Sequence, residues 1–375
     1  MDPFLVYARA KQNNIIALIR QLVECESPSD DPDSLDRFAS LMSDVVAPIA
    51  DIRLFPKGHM QARFHLLGEK KKGQILALGH SDTVWPLGTL RSMPFRQEKG
   101  RLWGPGVLDM KAGLAFFVFA MRALRDLDVS VGKNIVLQIN SDEETGSATS
   151  RALTERTAGK SDCVLVLEPG TGLAGKLKTS RKGTGSFTVN VHGKAAHAGL
   201  DFEAGASAIV ELAKQIERIA GFTDLRRGIT VNPGVIRGGT RSNVVASEAS
   251  VEVDIRVKRQ GDAMTLARKF GALRLFDRRC SISISGGLNR PPMERTRAIG
   301  ELLARAQSLG REVGVEVEES ASGGGSDGNF TAALGVPTLD GLGAVGEGAH
   351  AAHESILISR IADRTALLAK LVASV

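Results

Sequence analysis

The chain has 375 residues, 43% of them hydrophobic, with a formal net charge of +6, a pI of ≈ 9.3, two Trp and one Tyr. Length and apolar content suit two domains with a substantial core. The basic residues are scattered apart from Lys70-Lys71-Lys72 and lack interleaved aromatics, which argues against a nucleic-acid partner, and no apolar run, Leu114 to Met121 included, is long enough to span a bilayer.

Cys25, Cys163 and Cys280 are odd in number, far apart and without CxxC spacing, so buried free thiols are expected. Met1 to Gln12 has no basic head, apolar run and small-residue cleavage site, so a cytoplasmic soluble protein is expected.

Ile15, Ile16, Leu18, Ile19, Leu22 and Val23 recur at helical spacing and predict an amphipathic helix ending near Ser27-Pro28. Short β-rich apolar runs at Gln74 to Leu78, Asn134 to Ile139 and Cys163 to Leu167 read as buried strands. A helix at Gly113 to Leu127 and another near Arg151 to Glu155 alternate with them, the plan of an α/β sheet. From about Gly183 the pattern becomes a strand at Ser186 to His192, a helix at Ala204 to Ile219, strands near Ile229 to Ile236 and Ala249 to Val257, a helix at Met264 to Leu275 and a strand at Ser281 to Ser285. That order, β-α-β-β-α-β, is ferredoxin-like. It predicts an inserted α+β domain over 181–290, with 1–180 and 291–375 forming the first domain. After Pro291-Pro292 a helical stretch, a strand, the glycine run Ser322 to Gly328, a strand around Val336 to Leu339 and a last helix from Ser355 complete the chain.

In open α/β sheets, ligands bind beyond the carboxyl ends of the strands. His80 comes two residues after the first predicted strand, Asp142, Glu143 and Glu144 follow the second, and Glu168 closes the third. With Asp109 and His350 they supply the donors of a two-metal hydrolase: imidazole nitrogen and carboxylate oxygen suit Zn2+, and paired ions need a bridging carboxylate. Asp109, just ahead of a helix, is the natural bridge; a helix N-cap is its plainer alternative. Asp82 can fix the His80 tautomer, although a histidine after a strand is more often a hydrogen-bonded structural residue. The neighbouring carboxylates of Glu143 and Glu144 repel unless a cation lies beside them, and an acidic surface turn is the alternative. Since adjacent side chains diverge, one can ligate while the other acts as general base. Glu168 would be costly to bury unpaired. Of His350 and His353, only one need be a ligand.

The segments His80-Ser-Asp-Thr-Val-Trp85, Trp103-Gly-Pro-Gly-Val-Leu-Asp-Met-Lys-Ala-Gly113, Asp142-Glu-Glu-Thr-Gly-Ser147, Glu168-Pro169, Gly193-Lys-Ala-Ala-His-Ala-Gly199, Ser242-Asn-Val-Val245, Gly324-Gly-Ser-Asp327 and Gly348-Ala-His350 run in order along nearly the whole chain. Together they resemble the dinuclear zinc aminoacylase/carboxypeptidase family that includes succinyl-diaminopimelate desuccinylase, and within it the bacterial glutamate carboxypeptidases. The resemblance implies a zinc-peptidase catalytic domain with a mixed, mainly parallel sheet, and an inserted ferredoxin-like domain that makes a homodimer. It implies two Zn2+ per subunit, replaceable by Co2+ or Mn2+. One would be held by His80, Asp109 and Glu168, the other by Asp109, Glu144 and His350, with Glu143 as general base and a cis peptide after Asp109. His350 matches because the family's last ligand follows Gly-Ala and precedes a Glu four residues on, here Glu354; the role of His353 stays open. His197 would reach into the partner's active site, where a locally bonded loop histidine is the alternative.

For substrate binding, Arg256 lies on the face of its strand opposite Val251, Val253 and Ile255, placed to grip a carboxylate bidentately, with pairing to Asp254 or Glu252 as the alternative. Asn243 matches the family's substrate-side Asn, and Asn232 and Arg241 are weaker candidates. Gly324 and its neighbours offer backbone N–H groups to a carboxylate, or form a flexible linker. The expected reaction is metal-assisted hydrolysis of an amide in a small N-acyl or peptidyl substrate, releasing a C-terminal amino acid, with glutamate the first choice. An aminoacylase, dipeptidase or desuccinylase, and a non-catalytic scaffold, are the alternatives.

Overall fold

A computed structural model describes residues 2–375. Asp2 and Asp31 each accept main-chain N–H bonds at the start of a helix with proline in its first turn, which opens α1 (Pro3–Ala10) and α3 (Pro32–Val46) on either side of α2 (Gln12–Glu24). A hairpin of β1 (Ala50–Phe55) and β2 (His59–Phe64) follows. Then come β3 (Gln74–His80), α4 (Ala112–Asp126), β4 (Asn134–Asn140), α5 (Arg151–Ala158) and β5 (Cys163–Val166). The next stretch holds β6 (Gly183–His192), α6 (Ala208–Ala220), β7 (Thr230–Gly238), β8 (Glu248–Val257), α7 (Gln260–Gly271) and β9 (Ser281–Arg290). The chain ends with α8 (Arg297–Glu312), α9 (Gly328–Ala333), β10 (Thr338–Leu339) and α10 (Ile361–Ser374).

Two compact units result: one of residues up to Ser180 with Arg295–Ser322 and Ser326–Val375, the other of Arg181–Glu294 with Gly323–Gly325. The first is built on a sheet of order β1-β2-β4-β3-β5-β10. β3 pairs in parallel with β4 and β5, and β10 in parallel with β5, while the hairpin adds antiparallel strands at one edge. The sheet is therefore mixed and mainly parallel. Both faces are covered, Ile75 and Ala77 of β3 joining the main core and Leu76 and Leu78 a second cluster, which is why the strand reads as a continuous apolar run. α4 is buried along most of its circumference, as an almost wholly apolar helix must be.

The second unit is an antiparallel sheet of order β7-β8-β6-β9 with α6 and α7 on one face. Ala249, Val251, Val253, Ile255 and Val257 of β8 are buried against Leu212, Ile219, Leu266 and Phe270, and Phe270 stacks on Phe187 at 3.9 Å.

Several expected bounds change: α6 begins at Ala208 rather than Ala204, and β9 runs to Arg290 rather than Ser285. The last helix begins at Ile361 rather than Ser355, because Ser355–Leu357 is a strand paired with Arg101–Trp103 that buries Ser355 and Ile356. The α7 helix starts at Gln260, four residues ahead of the apolar periodicity, so its first turn is polar apart from buried Ala263.

Candidate active site

β4, β3 and β5 lie side by side in parallel, His80 opposite Asn140 and Leu78 opposite Val166, so their carboxyl ends open on one sheet edge. His80 is the last residue of β3 rather than lying beyond it; Glu168 follows β5, and Glu143 and Glu144 lie in the turn after β4. Asp109 sits in an irregular turn, Val107–Lys111, and its peptide bond to Met110 is cis. It does not cap α4, whose N-cap position is Lys111 with no side-chain bond. His350 lies in the turn ahead of Ser355–Leu357 with a φ of 61°, uncommon for a residue with a side chain.

Two donor groups form at this edge. One ligand atom each from His80, Asp109 and Glu168 lie within 4.8 Å of one another, and so do those from Asp109, Glu144 and His350. His80 Nε2 is 3.1 Å from Asp109 Oδ1 and 3.5 Å from Glu168 Oε1. His350 Nε2 is 3.1 Å from Glu144 Oε1 and 3.5 Å from Asp109 Oδ2. The two oxygens of Asp109 thus face different histidines, as those of a bridging carboxylate do. Glu143 and His353 belong to neither group, and His353 is exposed.

The electrostatics fit cations. Burial alone would lower the pKa of His80, but Asp109, Asp82 and Glu168 raise it well above the ordinary range. Burial would raise Asp109, and hydrogen bonds from His350 and His80 instead hold it far below the usual carboxylate range. Asp109 and Glu144 lift His350 to about 10, while burial pushes Glu144 up. The upward shifts of both imidazoles come from the carboxylates crowded around them, a concentration of negative charge that suits a bound cation. The nitrogen and oxygen donors suit zinc and neighbouring first-row divalent ions.

Asp82 is fully buried, and its carboxylate does more than face His80. His80 Nδ1 lies 2.9 Å from the Asp82 carbonyl oxygen and 3.5 Å from its carboxylate. That carboxylate accepts the N–H groups of Glu143 and Glu144 at 3.1 Å each and the Ser29 hydroxyl at 2.8 Å, anchoring the Glu143-Glu144 turn. Two further carboxylates, Asp327 and Glu354, lie in segments that the sequence picks out but carry no role assigned from it. Asp327 accepts from Ser147 Oγ at 2.5 Å and Asn140 Nδ2 at 2.6 Å, bracing the same turn from behind. Buried Glu354 accepts main-chain N–H groups of the Asp109 turn. Their sequence signal was their place in the matching segments, Asp327 after Gly324-Gly-Ser and Glu354 four residues after His350.

His197, Asn243, Arg256 and Gly324 belong to the second unit. His197 Nδ1 accepts the N–H groups of Gly199 and Leu200 at 3.1 Å, so in the neutral ring Nε2 carries the proton. The Asn243 carbonyl accepts from Ala198 N–H at 3.0 Å, placing both residues on adjoining loops. Arg256 is paired with Asp254, Nε to Oδ1 at 2.9 Å and Nη2 to Oδ2 at 3.0 Å. The Gly324 and Gly325 carbonyls accept from buried Arg181 at 3.2 and 3.1 Å.

The sequence model of peptidase family M20/M25/M40 matches residues 76–374. Carboxypeptidase G2 of Pseudomonas sp. (strain RS-16) is 32% identical over 305 residues, covering 80% of this chain and 73% of that protein. A tripeptidase structure from Staphylococcus aureus shares the fold with a TM-score of 0.79 at 21% identity, covering 96% of this chain and 98% of its own. A Bacillus subtilis protein described as a dinuclear metal binding peptidase from the M20 family does so with a TM-score of 0.69 at 13% identity, covering 97% and 98%.

Proposed function

This chain belongs to the M20/M25/M40 peptidase family, and on that premise we propose that it is a zinc-dependent carboxypeptidase-type amidohydrolase releasing a C-terminal amino acid, glutamate first, from an N-acyl or peptidyl substrate. One observation carries the reading: two donor groups share Asp109, and of the adjacent pair only Glu144 joins a group while Glu143 stays out.

His80, Asp109 and Glu168 would hold one divalent cation and Asp109, Glu144 and His350 the other, Zn2+ by donor type with Co2+ or Mn2+ as substitutes. Bound there, such ions acidify a water and polarise an amide carbonyl. Glu143, its turn fixed by Asp82, takes a proton from the attacking water and gives it to the departing amine. The partner subunit's His197 donates from Nε2 to the carbonyl oxygen as charge builds on it. Arg256, with Asn243 and the Gly324 main chain, orients the free carboxylate of the substrate, exchanging Asp254 for it.

A homodimer is supported by the second unit. β7 is an edge strand with exposed Val235 and Ile236, and exposed Ile209 of α6 packs beside Gly238 at its end. An apolar edge of this kind favours a covering partner. A cytoplasmic setting agrees with the three free cysteines, and among the described residues no helix is long and apolar enough to cross a membrane.

The test is metal analysis of the purified protein beside hydrolysis rates on acyl-glutamates, other N-acyl amino acids and dipeptides. Two divalent ions per chain and preferential glutamate release are expected. Equal release of every amino acid would make it an aminoacylase, and metal binding without turnover on any substrate would leave the scaffold alternative.

A further inference from the structure

Glu354 is wholly buried, and its carboxylate is surrounded by donors. Oε1 accepts the N–H groups of Leu108 at 2.8 Å and Asp109 at 3.1 Å; Oε2 accepts those of Gly106 at 2.9 Å and the Trp85 indole at 2.8 Å. Four donors fill the lone-pair sites of an ionised carboxylate. Three of them belong to the turn that presents Asp109. Glu354 also closes the turn that presents His350, because its own N–H donates to the Ala351 carbonyl at 2.8 Å, and the next residue, Ser355, pairs with Trp103.

We propose that Glu354 is a positioning residue that sets the register of Asp109 against His350, and so builds the donor group of Asp109, Glu144 and His350. The proposal rests on the metal-centre reading above. The other group has its own supports. His80 ends a central strand with its ring on the Asp82 carbonyl, and the Glu168 carbonyl accepts the Gly343 N–H at 2.9 Å. Asp109 is common to both groups, but only the His350 turn is also closed by Glu354, so losing Glu354 falls more heavily on the His350 side of the centre. Trp85, one of two tryptophans in the chain, reports on the latch through its indole N–H.

The test is a zinc titration of metal-stripped protein by calorimetry, with tryptophan emission followed in a Trp103→Phe background. Glu354→Gln keeps the shape but sets an amide NH2 against N–H donors. The unsubstituted protein is expected to take two equivalents. The variant is expected to keep the first and bind the second about 10- to 100-fold more weakly, the usual range for a partner behind a metal ligand, with a shifted Trp85 emission maximum. His353→Ala, an exposed change in the same turn, is expected to leave both equivalents unaltered. Should Glu354→Gln fail to fold, Trp85→Phe removes one donor only and is expected to weaken the second equivalent selectively. Wild-type affinity for both equivalents in a folded variant, or equal weakening of both, would overturn the proposal. An unsubstituted protein that takes up no zinc would instead sink the metal-centre reading itself.

Discussion

His350 Nε2 stands 3.1 Å from Glu144 Oε1 across 206 residues of chain, while Glu143, one residue away, lies in neither donor group. That asymmetry predicts unequal mutants. Glu143→Gln keeps both metals and lowers kcat by about 10²- to 10⁴-fold, the range of general acid–base catalysis. Glu144→Gln lowers metal occupancy. Atomic absorption on both variants decides, and equal metal loss would reverse the assignment.

Chelation is expected to abolish hydrolysis and zinc to restore it. Because the cations would bind the folded chain alone, zinc at about 100 times its Kd adds about 2.7 kcal/mol of stability. Scanning calorimetry with and without metal measures it, and coincident midpoints would refute a bound centre.

His197→Ala leaves metal content intact and lowers kcat by about 10²- to 10³-fold, the cost of one oxyanion donor. Mixed dimers of His197→Ala with a His80→Ala chain are expected to regain activity, since one site then has intact ligands and a partner histidine. Absence of complementation would mean that the histidine serves its own subunit.

Arg256→Ala is expected to raise KM for an acyl-glutamate about 10- to 100-fold with little change in kcat, as loss of about 1.5–3 kcal/mol of charged hydrogen bonding would. Asp254→Ala frees the same guanidinium and lowers KM. If neither moves KM, the pair is a surface ion pair worth about 0–1 kcal/mol of stability.

Arg364 is buried in α10 and donates to the carbonyls of Gly343 at 2.9 Å, Gly175 at 3.0 Å and Gly341. Arg364→Met strands these acceptors, at about 1–3 kcal/mol each. Urea unfolding should show a loss of at least about 3 kcal/mol; a smaller one would mean that water replaces the guanidinium.

The central strands were legible because burial on both faces leaves an unbroken apolar run, as in Ile75 to Leu78. The ferredoxin-like order was legible from the alternation in β8, where Val251, Val253 and Ile255 face the helices. The β1-β2 hairpin was not singled out, although Met60, Ala62 and Phe64 alternate with polar Gln61 and Arg63 as in a half-buried strand. Ser355–Leu357 was misread because three residues are too few to separate the strand period from the helical one.

The sequence by itself determined the donor types, their order along the chain and their places after apolar strands, because side-chain chemistry and hydrophobic period are local properties. Only the tertiary structure decided that each oxygen of Asp109 faces a different histidine and that Asp82 and Glu354 hold the turns bearing Glu144 and Asp109 through main-chain N–H groups. A backbone N–H is the same in every residue but proline, so a carboxylate that binds one leaves no trace in the partner's identity, and only the folded chain shows which turn it holds.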